Sequence, residues 1–202
     1  HEQELKRSDS LLRAAGFAAS RFLHTGSWEK CILEVLEQYG VEANVCRVVL
    51  MQNSSDDEGA HRMLQRNVWV RPELRASMLA RVPDGFDYAE APYDRWAEQL
   101  SEGKTIAAVI DHLDADEQMV LARQNIRSTA MVPVFNGERW WGFIRFDECR
   151  LRRTWLGSEI DAMGVGAKTL GAAINRQQAS EEVIAAKERA EQADEMKKAF
   201  IA

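Results

Sequence analysis

Apolar positions at the start of the chain fall at Leu5, Leu12, Ala15, Ala19 and Phe22, separated by seven, three, four and three residues. That heptad-like stripe predicts a first helix ending near Thr25-Gly26. Ser27 is placed to cap a second helix over 28–38, with Cys31, Ile32, Val35 and Leu36 as its buried face and Gly40 as its end. The period then shortens to two. "NVCRVVLMQN" (44–53) reads as a strand running into the polar turn "SSDDEG", and "HRMLQRNVWV" (61–70) reads as its hairpin partner. Residues 71–92 scatter apolar positions among Pro72, Pro83, Gly85 and Pro92, which predicts a long irregular segment of the kind that often carries function.

"YDRWAEQL" predicts a short amphipathic helix and "TIAAVI" a short strand. "DADEQMVLARQN" predicts a helix with Asp114 at its N-cap and Glu117 three residues on, as in a capping box. "RSTAMVPVF", Asn136-Gly137 and "ERWWGFIRFD" then form the clearest hairpin, two β-rich runs about an Asn-Gly type I′ turn. Alternation on its last strand puts Trp140, Gly142, Ile144 and Phe146 on one face and Trp141, Phe143, Arg145 and Asp147 on the other.

From Gly157 the pattern is helical to the end, about 45 residues or roughly 65 Å. Ile160, Met163, Ala167, Leu170, Ile174 and Gln177 keep a three-four spacing, and after a break Val183, Ala186, Ala190 and Ala193 resume it on a shifted face. We read this as a coiled-coil seam with a discontinuity, joined by Leu12 and Ala19 of the first helix in a homodimer. The element order predicts an α+β architecture: a central antiparallel sheet flanked by helices, with a long C-terminal coiled-coil helix. Residues 1–24 form an N-terminal helix of the dimer bundle, 25–177 a globular domain and 178–202 a helix leading onward.

Composition narrows the function. Among 202 residues, 46% are hydrophobic and 29% charged, and no apolar run approaches the ~18 residues a bilayer-crossing helix needs. The net charge of −6, with no Lys/Arg cluster set apart from acids, argues against nucleic acid as a partner. Three widely spaced cysteines and no signal-peptide pattern suit a reduced, cytoplasmic setting, and a start at His1 suggests a piece of a longer polypeptide. Cys31 and Cys46 read as core residues, whereas Cys149, just past a strand, reads as exposed and open to redox chemistry.

Over "NIRSTAMVPVFNGERWWGFIRFDECR" (125–150) the sequence resembles a GAF domain, the small-molecule sensory module of bacterial signalling proteins. It is most similar to the GAF domains of sensor histidine kinases, in which a short Trp-containing helix, here "DRWAEQLSEG" with Trp96, precedes a last strand of the form W-G-F-I-x-F-D. The resemblance covers about 11–177 and implies a GAF-like fold. The tail "AKERAEQADEMKKAFIA" resembles the helix that enters the dimerisation and phosphoacceptor domain of those kinases. That implies a two-component signalling role, with a kinase domain further along the same polypeptide. The Asn-Lys-x-Phe-Asp-Glu pattern of cyclic-nucleotide-binding GAF domains is absent, as is the Cys-His pair that attaches a bilin in plant-type phytochromes.

The resemblance implies a small-molecule pocket, for which Trp69, Arg95, Trp96, His112, Arg127, Trp141, Phe143 and Arg145 are the candidate lining residues. Arg145 among aromatic side chains suits an anionic or aromatic ligand through charge and cation-π contact, with a structural ion pair as the alternative. His112 is a candidate at a loop bordering the pocket, or an exposed loop histidine. No residue spacing calls for a metal, and no cofactor is required. The expectation is a regulatory module without catalysis of its own; the alternatives are a cysteine-based methionine sulfoxide reductase of GAF fold, or a dimerisation spacer without a ligand.

Overall fold

The computed structural model describes residues 2–56, 59–79 and 83–202. The chain runs α1 (Glu2–Thr25), α2 (Ile32–Glu42), β1 (Arg47–Asp56), β2 (Gly59–Val70), α3 (Arg75–Met78), β3 (Gly85–Asp87), α4 (Tyr93–Ser101), β4 (Ile106–Val109), α5 (Ala115–Arg123), β5 (Ser128–Asn136), β6 (Arg139–Glu148) and α6 (Gly157–Ile201). Six strands make one antiparallel sheet in the order β3-β2-β1-β6-β5-β4. The expected tip of the first hairpin and the middle of the irregular segment include 57–58 and 80–82, which lie outside the described residues.

Period-two alternation sends the strands' side chains to two apolar layers. Val48, Leu50, Val132, Val134, Ile144 and Phe146 meet α1, α2 and the first half of α6. Val49, Met51, Met63, Met131 and Phe143 meet Tyr93, Trp96 and Leu100 of α4 and Leu121 of α5. The sheet is covered on both sides, and each layer gains the ~25 cal/mol per Å² of apolar burial. α6 can ride close to the sheet because its inner face is small: a Cβ on Gly171 would lie 2.2 Å from the Phe135 carbonyl oxygen, and one on Gly166 2.7 Å from the Tyr39 hydroxyl.

Several local expectations are corrected. Within α1 the buried stripe is Leu11, Ala14, Ala15, Ala18 and Phe22, so Leu5 and Leu12 face solvent. Ser27 bonds the Glu29 carboxylate instead of capping, and a 3-10 turn over Trp28–Lys30 precedes α2. Gly40 does not end α2; it is the spot on which the Trp69 ring lies, where a Cβ would be 2.0 Å from the ring. The last hairpin turns one residue later than expected. Asn136 pairs with Arg139, leaving Gly137-Glu138 as the turn, and only Gly137 has positive φ (63°), whereas type I′ needs it at both central positions. The 71–92 stretch contains α3 and the three-residue β3, which pairs with β2.

The largest correction concerns α6. Met163, Ala167, Leu170 and Ile174, expected at a dimer seam, are buried within the protomer against α1, α2 and the sheet, and Ile160 packs half-buried on the same cluster. Their spacing is that of a core-facing helix stripe, which periodicity alone does not distinguish from a coiled-coil seam. Beyond Gln177 every residue of α6 is exposed.

Candidate functional site

The eight expected pocket residues do not form one site. Trp96, Phe143 and Arg145 share the face beneath α4 and α5. Trp69 and Trp141 lie on the opposite, α1/α2/α6 side, Trp141 standing edge-on to Trp28 with ring centroids 5.6 Å apart. The cause for Trp141 is a β-bulge. Val134 pairs with Gly142 but Phe135 with Trp140, so Trp141 is the extra residue, and the alternation flips across it. Trp140 thereby joins the α4/α5 side, packing against Tyr88.

Arg95 and His112 line a cleft of about 410 Å³ along the edge strand β4, together with Gln99, Leu113 and Trp155. Arg95 is committed to carboxylates there, with Nη1 2.5 Å from Asp114 and 2.8 Å from Glu117. Glu117 accepts the Asp114 N–H, as a capping box requires, and also the Trp96 indole N–H at 2.8 Å. Trp96 is thus pinned in the core by a buried carboxylate. Arg127 is exposed and donates to the Arg150 carbonyl.

The chemically distinctive part of the α4/α5 face is ionic. Arg47, Arg145 and Asp147 are all buried, Arg47 reaching Asp147 through Nη2 at 2.7 Å and Nε at 2.8 Å, and Arg145 through Nε at 3.1 Å. Gln124 Oε1 accepts from both guanidiniums, the Met78 carbonyl accepts from Arg47, and Thr129 donates to Asp147. Burial pulls the Arg145 pKa down, and the neighbouring Arg47 charge adds to this while Asp147 opposes it. Two guanidiniums therefore share one carboxylate among the described residues. The aromatic rim continues through Tyr93, whose phenol burial pushes up to about 12, and Tyr88, which donates to Asn53 at 2.5 Å.

Sequence reasoning offered Arg145 as a pocket residue with a structural ion pair as its alternative, and the buried pair with Asp147 at 3.1 Å matches that alternative; it missed Arg47, Gln124, Tyr88 and Tyr93. Arg47 was legible in principle, because a charged residue opening "RVVLMQN" shares parity with the buried Val49 and Met51. Gln124, on a helix C-cap 21 positions from Arg145, carried no signal.

Comparison with known proteins agrees with this architecture. The family model described as the GAF domain matches residues 27–174. The methanogenesis regulatory histidine kinase FilI of Methanothrix harundinacea (strain 6Ac) is 30% identical over 184 residues, covering 91% of this chain but 20% of that protein. The chain thus spans about a fifth of that curated relative. Among solved structures, the phycoerythrobilin-bound GAF domain of a cyanobacterial phytochrome superposes with a TM-score of 0.69 at 12% identity, covering 87% of this chain and 98% of that one. A far-red-absorbing dark state with bound biliverdin IXa superposes at 0.68 and 15% identity, covering 82% and 99%. At such identities the likeness speaks to the fold alone. No described helix is long and apolar enough to cross a membrane.

Proposed function

The chain belongs to the GAF domain family, and from that membership we propose that it is the sensory input module of a two-component histidine kinase, without catalysis of its own. Its input side is the α4/α5 face, where the Arg47–Asp147–Arg145 cluster, with one carboxylate for two guanidiniums, suits a small anionic molecule. The input is held without a covalent link to cysteine: Cys31 packs in the α1/α2 layer, and Cys46 and Cys149 meet at the end of β1 and β6. Its output side is α6, which begins as a wall of the domain and continues as a bare helix toward a kinase domain in the same polypeptide.

One observation carries this reading. On the outer surface of α6, Val165, Thr169, Ala172, Arg176, Ala179, Val183, Ala186, Ala190 and Ala193 follow one another at alternating spacings of four and three, and none of them is buried. Phe200, 94% exposed, keeps the same phase. A heptad-spaced face of mostly small apolar residues, with Thr169, Arg176 and Lys197 as its polar positions and no cover in the protomer, suits a parallel coiled-coil homodimer. The discontinuity in the sequence pattern is thereby explained: the stripe through Ile174 is the inner face, and Val183 onward belongs to the outer one. Small seam residues make a weakly packed coil, which can change register at modest cost, as a conduit between input and kinase must. An input drives that change only through unequal affinity for the two registers.

Sedimentation of the whole chain across a concentration series tests the reading. We expect a dimer, and a monomer with unchanged melting temperature for Val183→Glu combined with Ala190→Glu. A wild type that stays monomeric, or a double variant that stays dimeric, removes the outer seam as the signalling contact.

A further inference from the structure

The three cysteines are free thiols, and two of them meet. Cys46 immediately precedes β1 and Cys149 immediately follows β6. They stand 103 positions apart in sequence, yet their Sγ atoms are 2.6 Å apart. The Cys149 N–H donates to Cys46 Sγ at 3.3 Å, and the Cys46 thiol donates to Glu148 Oε1 at 3.2 Å. Cys149 was expected to be exposed; the approach of Cys46, Val70 and Met78 buries it to 7%. That remnant matters, because Cys46 has none, at 0%, and the neighbours of Cys149 in sequence, Glu148 and Arg150, line an open cleft of about 690 Å³.

The two sulfurs and Glu148 lie within 4.8 Å of one another, a grouping that in composition would suit a metal ion. The charges argue against one. Arg150 donates to Glu148 Oε1 through its backbone N–H at 2.8 Å and Nε at 3.0 Å, and to Oε2 through Nη2 at 2.8 Å, so both carboxylate oxygens already face a cation. A divalent ion would have to displace that guanidinium from a partly buried pair.

We propose that Cys46 and Cys149 are a dithiol oxidation site, closed by a hydroperoxide to an intramolecular disulfide that ties the entry of β1 to the exit of β6. The sulfur of Cys149, the less buried of the two residues, attacks a peroxide oxygen. The S–O bond forms as the O–O bond breaks, and the departing hydroxide takes up the thiol proton as water. The Cys46 sulfur then attacks the Cys149 sulfenic sulfur. The S–S bond forms, the S–O bond breaks, and the hydroxyl leaves as a second water with the proton that Cys46 held toward Glu148. Two thiols and one peroxide become one disulfide and two waters.

The assignment of roles follows the surroundings. Burial pushes the Cys46 thiol up to about 12, which suits the second, resolving sulfur. The Glu148 carboxyl is pushed upward by burial, yet hydrogen bonds from the Arg150 side chain and backbone outweigh this and hold it below the ordinary carboxylate value. It therefore stays ionised to orient the Cys46 proton. The proposal depends on neither the ligand nor the dimer proposed above. Its consequence is local: the disulfide would fix the point from which the chain departs for α6.

The reduced whole chain, treated with hydrogen peroxide, denatured and alkylated, tests it. Free thiols should fall from three to one, so that alkylation adds one adduct in place of three; before alkylation the intact mass should drop by about 2 Da, and peptide mapping should join Cys46 to Cys149 in a link that dithiothreitol reverses. Cys31→Ala should keep the link and Cys149→Ala should lose it; the wild-type map decides the matter if either variant fails to fold. Three outcomes overturn the proposal: Cys149 gaining about 16 or 32 Da while Cys46 stays free, a link that involves Cys31, or stoichiometric zinc in the purified protein whose chelation unmasks the two thiols.

Discussion

The two halves of α6 share one helix and one phase of backbone but have opposite surroundings. Residues 157–177 carry Ala162, Met163, Gly166, Ala167, Leu170, Gly171, Ala173 and Ile174 inward against other elements, whereas residues 178–201 bury nothing. Alanine is frequent in both, but charged residues number four in 157–177 and ten in 178–201, and all four glycines of the helix lie in the first. The first half has α1 and β5 alongside it, with Tyr39 of α2 against Gly166, whereas the second meets the protomer at its start, where Asn136 donates to Gln178, and buries nothing. An α-helix satisfies its own backbone hydrogen bonds, so it can leave a domain without penalty where a strand could not. That independence lets a single element serve as core wall and as output.

The comparison breaks most severely at Leu170, which is 1% exposed. Leu170→Asp buries an unpaired carboxylate and should cost about 4 kcal/mol or more, leaving a chain without a cooperative melt by circular dichroism. A folded monomer from the same variant would return Leu170 to a contact between subunits. Next in size is Gly171→Val. Its new Cβ would meet the Phe135 carbonyl oxygen at 2.2 Å, lifting α6 from β5 at about 2–3 kcal/mol, read as a lower urea midpoint. Ala172→Val, one residue on and exposed, should cost less than about 1 kcal/mol, the helix propensity of valine included, when stability is read at a protein concentration low enough to dissociate the proposed dimer; a larger loss would mean the outer face of this half packs within the protomer as well.

Truncation after Ala179 sharpens the contrast from the other side. At low protein concentration the core should unfold within about 0.5 kcal/mol of the whole chain, while sedimentation shows the dimer lost or much weakened. A large loss of core stability would mean the distal half supports the domain directly. The smallest effect belongs to Lys198→Ala, which removes an i,i+4 pair with Asp194 at 2.8 Å between two well-exposed side chains. Such pairs contribute about 0.3 kcal/mol, so the helicity of the distal half should fall only slightly by circular dichroism at low salt.

The β5–β6 hairpin, the capping box of α5, the strand-rich middle and the single uninterrupted final helix were legible in the sequence, because each rests on interactions within a few residues. The GAF resemblance rested on the same local signatures. The candidate site was legible only in part. Arg145 and Trp96 could be assigned to elements from alternation and amphipathicity, but the bulge at Trp141 reversed the face of two tryptophans, and Trp69 found its place on Gly40, 29 positions away by sequence number. Periodicity says which residues share a face; it does not say what that face meets.

By itself, then, the sequence determined the main elements outside 71–92, their order and the existence of two apolar stripes on α6, since helix and strand periods are properties of the local backbone. Tertiary structure alone decided that the stripe through Leu170 is core and the one through Val183 is bare. It also decided that Arg47 and Arg145 share Asp147, and that Cys46 and Cys149 stand 2.6 Å apart at the end of the sheet. The physical reason is common to all three: burial, charge pairing and thiol proximity depend on which distant segments the sheet register and helix packing bring alongside.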